Sequence, residues 1–472
     1  MQRWLRILIG LVATGLPAVR LAAAAPPAPA APPLTLADGD RILVLAPHPD
    51  DEVIATGGVL QEAVRRHLPV QVVFFTYGDN NQWSFLVYRK HPVLMPSSAQ
   101  FMGLVRHDEA LAADRALGLS TNDLLFLGYP DFGTLAIWQE HWGEQRALRS
   151  MLTRVRKVTY PNAYRPGAPF KGEEILADLE AVLHAFRPTK VFVSHPADHN
   201  PDHRALYLFT RVALWDLAPE MQPALFPFLV HYRRWPQPRT RQPEAVLVPP
   251  QELARAVDWS TYPLDAQQVH RKGVAMRAHA SQYAYSAVYL DSFVRRNELF
   301  GDFPETALAR AAATNDLSLD ASEGAQDMDE ELSEEERAAF IGIERRTVAL
   351  DGDRLVLTLG FSRPFANAVQ AAVHVFGYRA GVSFAAMPKL AIRLTELGAR
   401  VYDQDHELPA GTVTVERRLS ELRISVSLAA LGQPDHVFTS ARTFLGDVPL
   451  DWVSWRVLVV GGSGGARGAD EH

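Results

Sequence analysis

"LVLAPHPDDEVIATGG", residues 43–58, sets an aliphatic run directly against a histidine, two aspartates and a glutamate. Groups of that kind are costly to bury unless they are paired or bind a metal. Arg41 to Ala46 reads as a buried strand and Val53 to His67 as a helix, so the ionisable residues fall on the turn between them. The alternation continues outward. Val70–Thr76, Leu124–Leu127 and Lys190–Ser194 read as further strands, and Gln100–Leu117, Glu173–Phe186 and His203–Leu217 as further helices. Uniformly apolar strands alternating with helices predict a parallel sheet covered on both faces. The expectation is a Rossmann-like α/β domain over residues 38–310.

Past Ile341 the periodicity changes to two, as in "RLVLTLGF", "AVHVFGY" and "WVSWRVLVV". That pattern predicts a smaller all-β, sandwich-like accessory domain over residues 341–462. Trp452 and Trp455 stand three apart within it, so they are expected on opposite faces, with at least one in the core. Residues 311–340, which include "DMDEELSEEER", read as an acidic linker with a short helix near its end, and the Gly-rich residues 463–472 as a disordered tail.

At the N-terminus, Arg3 and Arg6 precede an apolar stretch too short to span a bilayer, and Ala22–Ala25 offers small-residue cleavage options. Residues 1–25 are therefore expected to be a signal peptide and residues 26–37 an Ala/Pro-rich tether without fold of its own. This implies an exported, periplasmic or secreted protein with no integral membrane segment after cleavage. The chain of 472 residues has no cysteine, which excludes disulfides, thiolate ligands and a Cys nucleophile. Any metal must sit on His and carboxylate. A formal net charge of −7 argues against nucleic acid as the main partner, although a local basic patch is compatible with it.

In parallel α/β sheets, ligands bind beyond the carboxyl ends of the strands. His48 to Glu52 lies there, and so does "SHPADHNPDHRA", Ser194 to Ala205, with His195, Asp198, His199, Asp202 and His203. Either cluster alone could be a surface turn with polar caps. Two on one sheet edge can converge, and two His plus an Asp with an open fourth position suits a catalytic metal.

"APHPDDE" together with the later "PDH" resembles the PIG-L/LmbE-type zinc-dependent N-deacetylases, which remove acetyl groups from N-acetylglucosamine-containing molecules. The likeness extends through "RHDEALAADRALG", "FLGYPDFG" and "KGVAMRAHASQ", covering most of residues 40–285 in order. The resemblance implies that His48, Asp51 and His203 bind Zn2+ and that Asp50 is the general base for zinc-hydroxide attack on the acetamide. Fe2+ would fit the same ligands. The implied substrate is an N-acetylated amino sugar, free or within a polymer or glycoconjugate. A zinc amidase on another acylated amine, or a non-catalytic glycan binder on the same fold, are the alternatives.

One position departs from the family. Members often read HPDH at the second motif, whereas Asn200 stands here in "NPDH". Asn can donate to an oxyanion but cannot act as an acid. His199 or Asn200 is expected to fill that role, and Asp202 is grouped with them as catalytic. Arg106 and Asp131 are expected at the substrate. Arg106 as a helix-surface residue paired with Glu109 or Glu62 is the bland alternative. His279 is read as a rim residue or a packed helix histidine. Trp83, Tyr88, Trp138, Trp142, Tyr160 and Tyr164, in and before the long segment 131–171, are candidates for stacking on sugar rings.

Overall fold

The computed structural model describes residues 31–80, 95–309, 316–319, 332–364, 368–395, 398–446 and 448–461. The expected signal peptide, the first tether residues, Trp83, Tyr88, the acidic residues 320–331 and the Gly-rich tail lie outside them.

The apolar runs form the strands the sequence predicts. β1 (Ile42–Ala46), β2 (Val70–Thr76), β3 (Leu124–Tyr129), β4 (Lys190–Ser194) and β5 (Ala224–Phe228) make a parallel sheet in the order β3-β2-β1-β4-β5. Every residue of β1 is buried, because it pairs on both sides and is covered on both faces. The strand order reverses between β1 and β4, so the crevice above these two strands is the topological switch point where such sheets hold ligands.

β5 escapes the sequence reading because Pro227 interrupts it. Proline cannot donate to the ladder and is confined to edge strands, and β5 is an edge. The helices α1 (Asp51–Arg65), α2 (Pro96–Leu117), α3 (Thr134–Glu140), α4 (Gly172–Phe186) and α5 (Pro201–Asp216) complete the layers, with α1 packed on α2 and α3 and α4 each packed on α5. After β6 (Asp258–Pro263), α6 (Ala266–Ala278) and α7 (Ala280–Asp291) close over α1 and α2, and β7 (Asn297–Asp302) returns to pair antiparallel with β6.

Two expected boundaries move. The tether is not bare chain throughout: Leu34 and Leu36 are buried, and Leu34 N donates to Thr261 O at 2.7 Å, because β6 offers an open edge and two leucines are worth burying. The α/β domain also ends earlier than residue 310. β8 (Thr306–Leu308) pairs with the last strand among the described residues, and β9 (Leu317–Leu319), inside the expected linker, pairs with β10 (Ile343–Asp351). The short helix foreseen near the linker's end is α8 (Glu334–Ala339), capped by Ser333 and Glu336.

The C-terminal region is a sandwich of antiparallel strands. One sheet runs β16 (Val413–Arg418), β17 (Glu421–Ser427), β11 (Arg354–Phe361), β10, β9. The other runs β15 (His406–Glu407), β14 (Gly398–Asp403), β13 (Lys389–Thr395), β12 (Val369–Tyr378), β18 (His436–Leu445), β19 (Val448–Val460), β8. Between them lies a core that includes Leu355, Leu357, Val373, Ile392, Ile424 and Val453. The outer face of the second sheet is covered too. Phe376, Tyr378, Phe438 and Trp455 belong to the core of the α/β domain, where Trp138 meets Phe376, Phe438 and Trp455 at ring distances of 5.8, 5.3 and 6.2 Å.

Trp452 and Trp455 therefore do not face opposite sides. A register shift on β19, where Thr439 pairs with Arg456 but Ala441 with Val453, inserts an extra residue and resets the alternation. Both indoles turn toward the α/β domain, Trp455 into the shared core and Trp452 into the crevice.

Candidate active site

Local chemistry fixes the two loops. At the head of α5, the Asn200 side chain accepts from Asp202 N at 2.8 Å and Pro201 takes the first helical position, which places Asp202 and His203 in the first turn. At the head of α1, Asp50 adopts φ 137°, a conformation strained for any residue with a side chain. It is held there by its own N–H on Glu52 Oε2 at 2.8 Å and by the preceding Pro49 carbonyl, which accepts from Arg106 Nη2 at 2.8 Å.

These loops bring His48, Asp51 and His203 together, all buried. His48 Nδ1 lies 3.2 Å from Asp51 Oδ2, His203 Nε2 lies 3.1 Å from the same oxygen, and the two nitrogens are 3.3 Å apart. A tetrahedral ion with bonds of about 2.0–2.1 Å has ligand-to-ligand edges of about 3.3–3.4 Å. The outer nitrogen of each imidazole faces carboxylates: His203 Nδ1 is 3.2 Å from Asp198 Oδ2, and His48 Nε2 is 3.2 Å from Asp131 Oδ1 and 3.3 Å from Asp202 Oδ2. Protons on those outer nitrogens leave two inner lone pairs converging on an ionised oxygen, an arrangement that a cation satisfies. Asp51 Oδ1 is also buried without a hydrogen-bond partner. The donor set fits a small divalent metal.

The electrostatics agree. Burial opposes charging His203, yet Asp198 and Asp51 override it and raise the group to about 9. Burial likewise opposes ionising Asp51, and His203 and His48 hold it well below the usual carboxylate range. Asp50 is different. Burial pushes it up to about 6 against the pull of Arg106, with Asp51 adding to the rise. A carboxylate poised there is ionised at neutral pH and still basic enough to accept a proton.

Arg106 is not a surface residue. It is buried, donates from Nη1 to Gly78 O at 3.1 Å and from Nη2 to Pro49 O, and lies 3.3 Å from Asp50 Oδ1. Gly78, at φ +64°, is the residue that lets it pass, since a Cβ there would stand 2.1 Å from Nη1. Asp131 reaches the cleft floor with Oδ2 accepting from Asn80 N at 2.9 Å. Asp202, grouped with the catalytic residues from the sequence, is fully engaged as a positioning group. Its Oδ1 accepts from Thr134 N at 3.0 Å and its Oδ2 from Phe132 N at 2.5 Å, tying the turn after β3 to His48. His279 is buried, 3.0 Å from Glu52 Oε1, and serves packing rather than the rim.

His231 is the residue the sequence reading missed. It follows β5, its ring lies 4.8 Å from that of His203, and it offers a ligand atom within 4.8 Å of those of His48, Asp51 and His203. The signal was available in "FPFLVHY", Phe226 to Tyr232, an apolar run ending in His like the one before His195. His199, by contrast, stands in the cleft wall, 5.4 Å from Trp452 and 5.2 Å from Tyr232 by ring centres. The expected stacking aromatics that fall among the described residues also lie elsewhere. Trp138 and Trp142 are fully buried in the shared core, and Tyr160 is stacked on Tyr77 at 3.7 Å. Tyr232, Tyr285, Tyr289 and Trp452 line the cleft instead.

Sheet order, switch-point crevice and His/Asp cluster together define a Rossmann-like domain with a metal-type site. Residues 43–214 match the model of the PIG-L family, described as GlcNAc-PI de-N-acetylase. A 1D-myo-inositol 2-acetamido-2-deoxy-alpha-D-glucopyranoside deacetylase of Mycobacterium sp. (strain KMS) is 28% identical over 184 residues, 38% of this chain and 52% of the relative. A deacetylase 1 of the same description from Saccharopolyspora erythraea is 30% identical over 187 residues, 38% of this chain and 55% of the relative. The chain thus spans about half the length of the curated relatives it matches. Among solved structures, N,N'-diacetylchitobiose deacetylase from Pyrococcus horikoshii aligns with 20% identity over 56% of this chain and 83% of its own, at a TM-score of 0.34. Among the described residues no helix is long and apolar enough to cross a membrane.

Proposed function

We propose that the protein is a zinc-dependent N-deacetylase that removes the acetyl group from an N-acetylglucosamine-type sugar. The observation that carries this reading is the convergence of His48 Nδ1, Asp51 Oδ2 and His203 Nε2 within 3.3 Å of one another beside Asp50. A zinc ion held by these three residues would supply Lewis-acid polarisation of a carbonyl and acidify a water to a pKa of about 7, and Fe2+ suits the same donors. Asp50, held 3.3 Å from Arg106 in the lining of the crevice, would take the proton of the attacking water and return it to the leaving amine. His231, which burial pushes down to about 4, is neutral at pH 7, lies beside His203 in the crevice lining and would be available to donate to a developing oxyanion. Asn200, its oxygen committed to the helix cap, leaves its amide N–H groups for the cleft it lines. The charged n-region and short apolar stretch of residues 1–25 support export to the periplasm or beyond.

The test is acetate release from N-acetylated chitooligosaccharides by the full chain, with and without chelator and with zinc restored. Asp50→Asn is expected to lose roughly 10²–10⁴-fold in rate while retaining bound metal. Full activity in the presence of chelator, or in Asp50→Asn, refutes the reading.

A further inference from the structure

The crevice above the cluster has a volume of about 1080 Å³, larger than one acetamido sugar requires. Its walls come from both domains. Arg442 and Trp452 are direct cross-strand partners on β18 and β19, so their side chains leave the same face of the sheet. Both line the crevice opposite Arg204 at the head of α5. The Arg204 guanidinium lies 4.2 Å from the centre of the Trp452 ring, bridging the two domains, and its Nε is buried without a hydrogen-bond partner.

Charge in the crevice is sorted. Beyond Arg106, its lining carries Arg204, Arg233, Arg234, Arg239 and Arg442, whereas its carboxylates, Asp50 and Asp131, are confined to the floor beside the metal-type cluster. This contrasts with a chain whose formal net charge is −7. Guanidinium forks match carboxylate and phosphate oxygens in pairs, and an indole beside them presents a flat face to a sugar ring.

We infer that the sandwich domain builds an acid-recognising subsite into the catalytic cleft, formed by Arg442 and Trp452 with Arg204, and that the substrate is an N-acetylated amino sugar linked to a group bearing a carboxylate or phosphate. The acetamide half of this statement rests on the deacetylase reading. The acidic half rests on the lining alone.

Calorimetric titration of the full metal-loaded chain separates the two. The probes are a hyaluronan tetrasaccharide, which carries carboxylates, N-acetylglucosamine 1-phosphate, and neutral chitotetraose. At low salt at least one acidic probe is expected to bind ten-fold or more tightly than chitotetraose, with that advantage shrinking as sodium chloride is raised. Which acidic probe gains identifies carboxylate or phosphate. Arg442→Gln and Trp452→Leu, each checked for an unchanged melting profile, are expected to cut the acidic preference at least five-fold. Equal or tighter binding of chitotetraose, no binding of either acidic probe, equally tight binding of a single-stranded oligonucleotide, or a preference untouched by both variants overturns the subsite. Absence of acetate release with the acidic preference intact overturns the deacetylase reading and leaves the subsite standing.

Discussion

Replacing Arg106 by methionine preserves the bulk of the stem and removes every donor. The guanidinium it replaces serves two carbonyls, Gly78 O at 3.1 Å and Pro49 O at 2.8 Å, and stands 3.3 Å from Asp50 Oδ1. Each buried acceptor left unpaired costs roughly 1–3 kcal/mol, and stripping a buried carboxylate of its cation typically costs about 3–5 kcal/mol. These losses share one side chain and do not add in full, so the expected destabilisation is about 3–5 kcal/mol. Urea unfolding at fixed metal concentration reads it, with midpoint and slope compared together because two packed domains invite departure from a two-state transition. A second readout is the acid limb of kcat/KM. Asp50 is raised to about 6 chiefly by burial, with Arg106 opposing the rise. Without Arg106 the carboxyl moves further up, so the limb shifts to higher pH. Arg106→Lys, which keeps the charge but cannot span three acceptors, should fall between. Destabilisation below about 1 kcal/mol together with an unmoved acid limb would show that the guanidinium supports neither the strained Asp50 turn nor its ionisation.

His203→Ala removes an inner nitrogen of the cluster. Bound zinc per chain, measured by plasma emission, should fall well below that of the wild type, and the rise in melting temperature on adding zinc should disappear. Trp138→Ala opens a void among Phe376, Phe438 and Trp455 and should cost about 3–5 kcal/mol, read as a single cooperative loss of signal from both domains. Separate melting of the two would refute a shared core. Lys389 is fully buried, with Nζ donating to Met387 O at 2.9 Å and standing 4.6 Å from the Trp142 ring centre, and burial pushes it down to about 7 despite Asp403 and Glu173. Between that value and the ordinary lysine range the unfolded chain holds a proton the folded chain lacks, so stability rises with pH across the interval. The wild type should therefore gain on Lys389→Met from pH 7 to 10 in paired urea midpoints, and a constant difference would sink the assignment.

Much of the first domain is legible because its strands are buried on both faces. The limits of Val70–Thr76 and Lys190–Ser194 emerge from the apolar run alone and match the structure. Pro227 hides β5, since edge position, which makes proline tolerable, is a property of the sheet and not of the segment. Missing β5 also hid His231. Alternation misplaces Trp452 relative to Trp455 for a related reason: it is a local rule, and one inserted residue on β19 resets it. Aromatic residues of the 131–171 segment suggested a sugar platform, but an aromatic side chain carries no mark distinguishing a ligand from a second domain. Trp138 and Trp142 were buried by the sandwich. At the site, ligand types and their spacing are local and can be read from "HPDD" and "NPDH". The engagement of Asp202 with the turn after β3 depends on tertiary contacts between segments about seventy residues apart.

The shared core also sets a schedule for biogenesis. Trp138 and Trp142 leave the ribosome some three hundred residues before β19 supplies Trp455 to cover them. Until then the nascent α/β half exposes a broad oily face, a hazard for aggregation during translation or transport. The same final strand delivers Trp452, so closing that face and finishing the mouth of the cleft happen in one event, and a prematurely terminated chain is left both sticky and without its far wall.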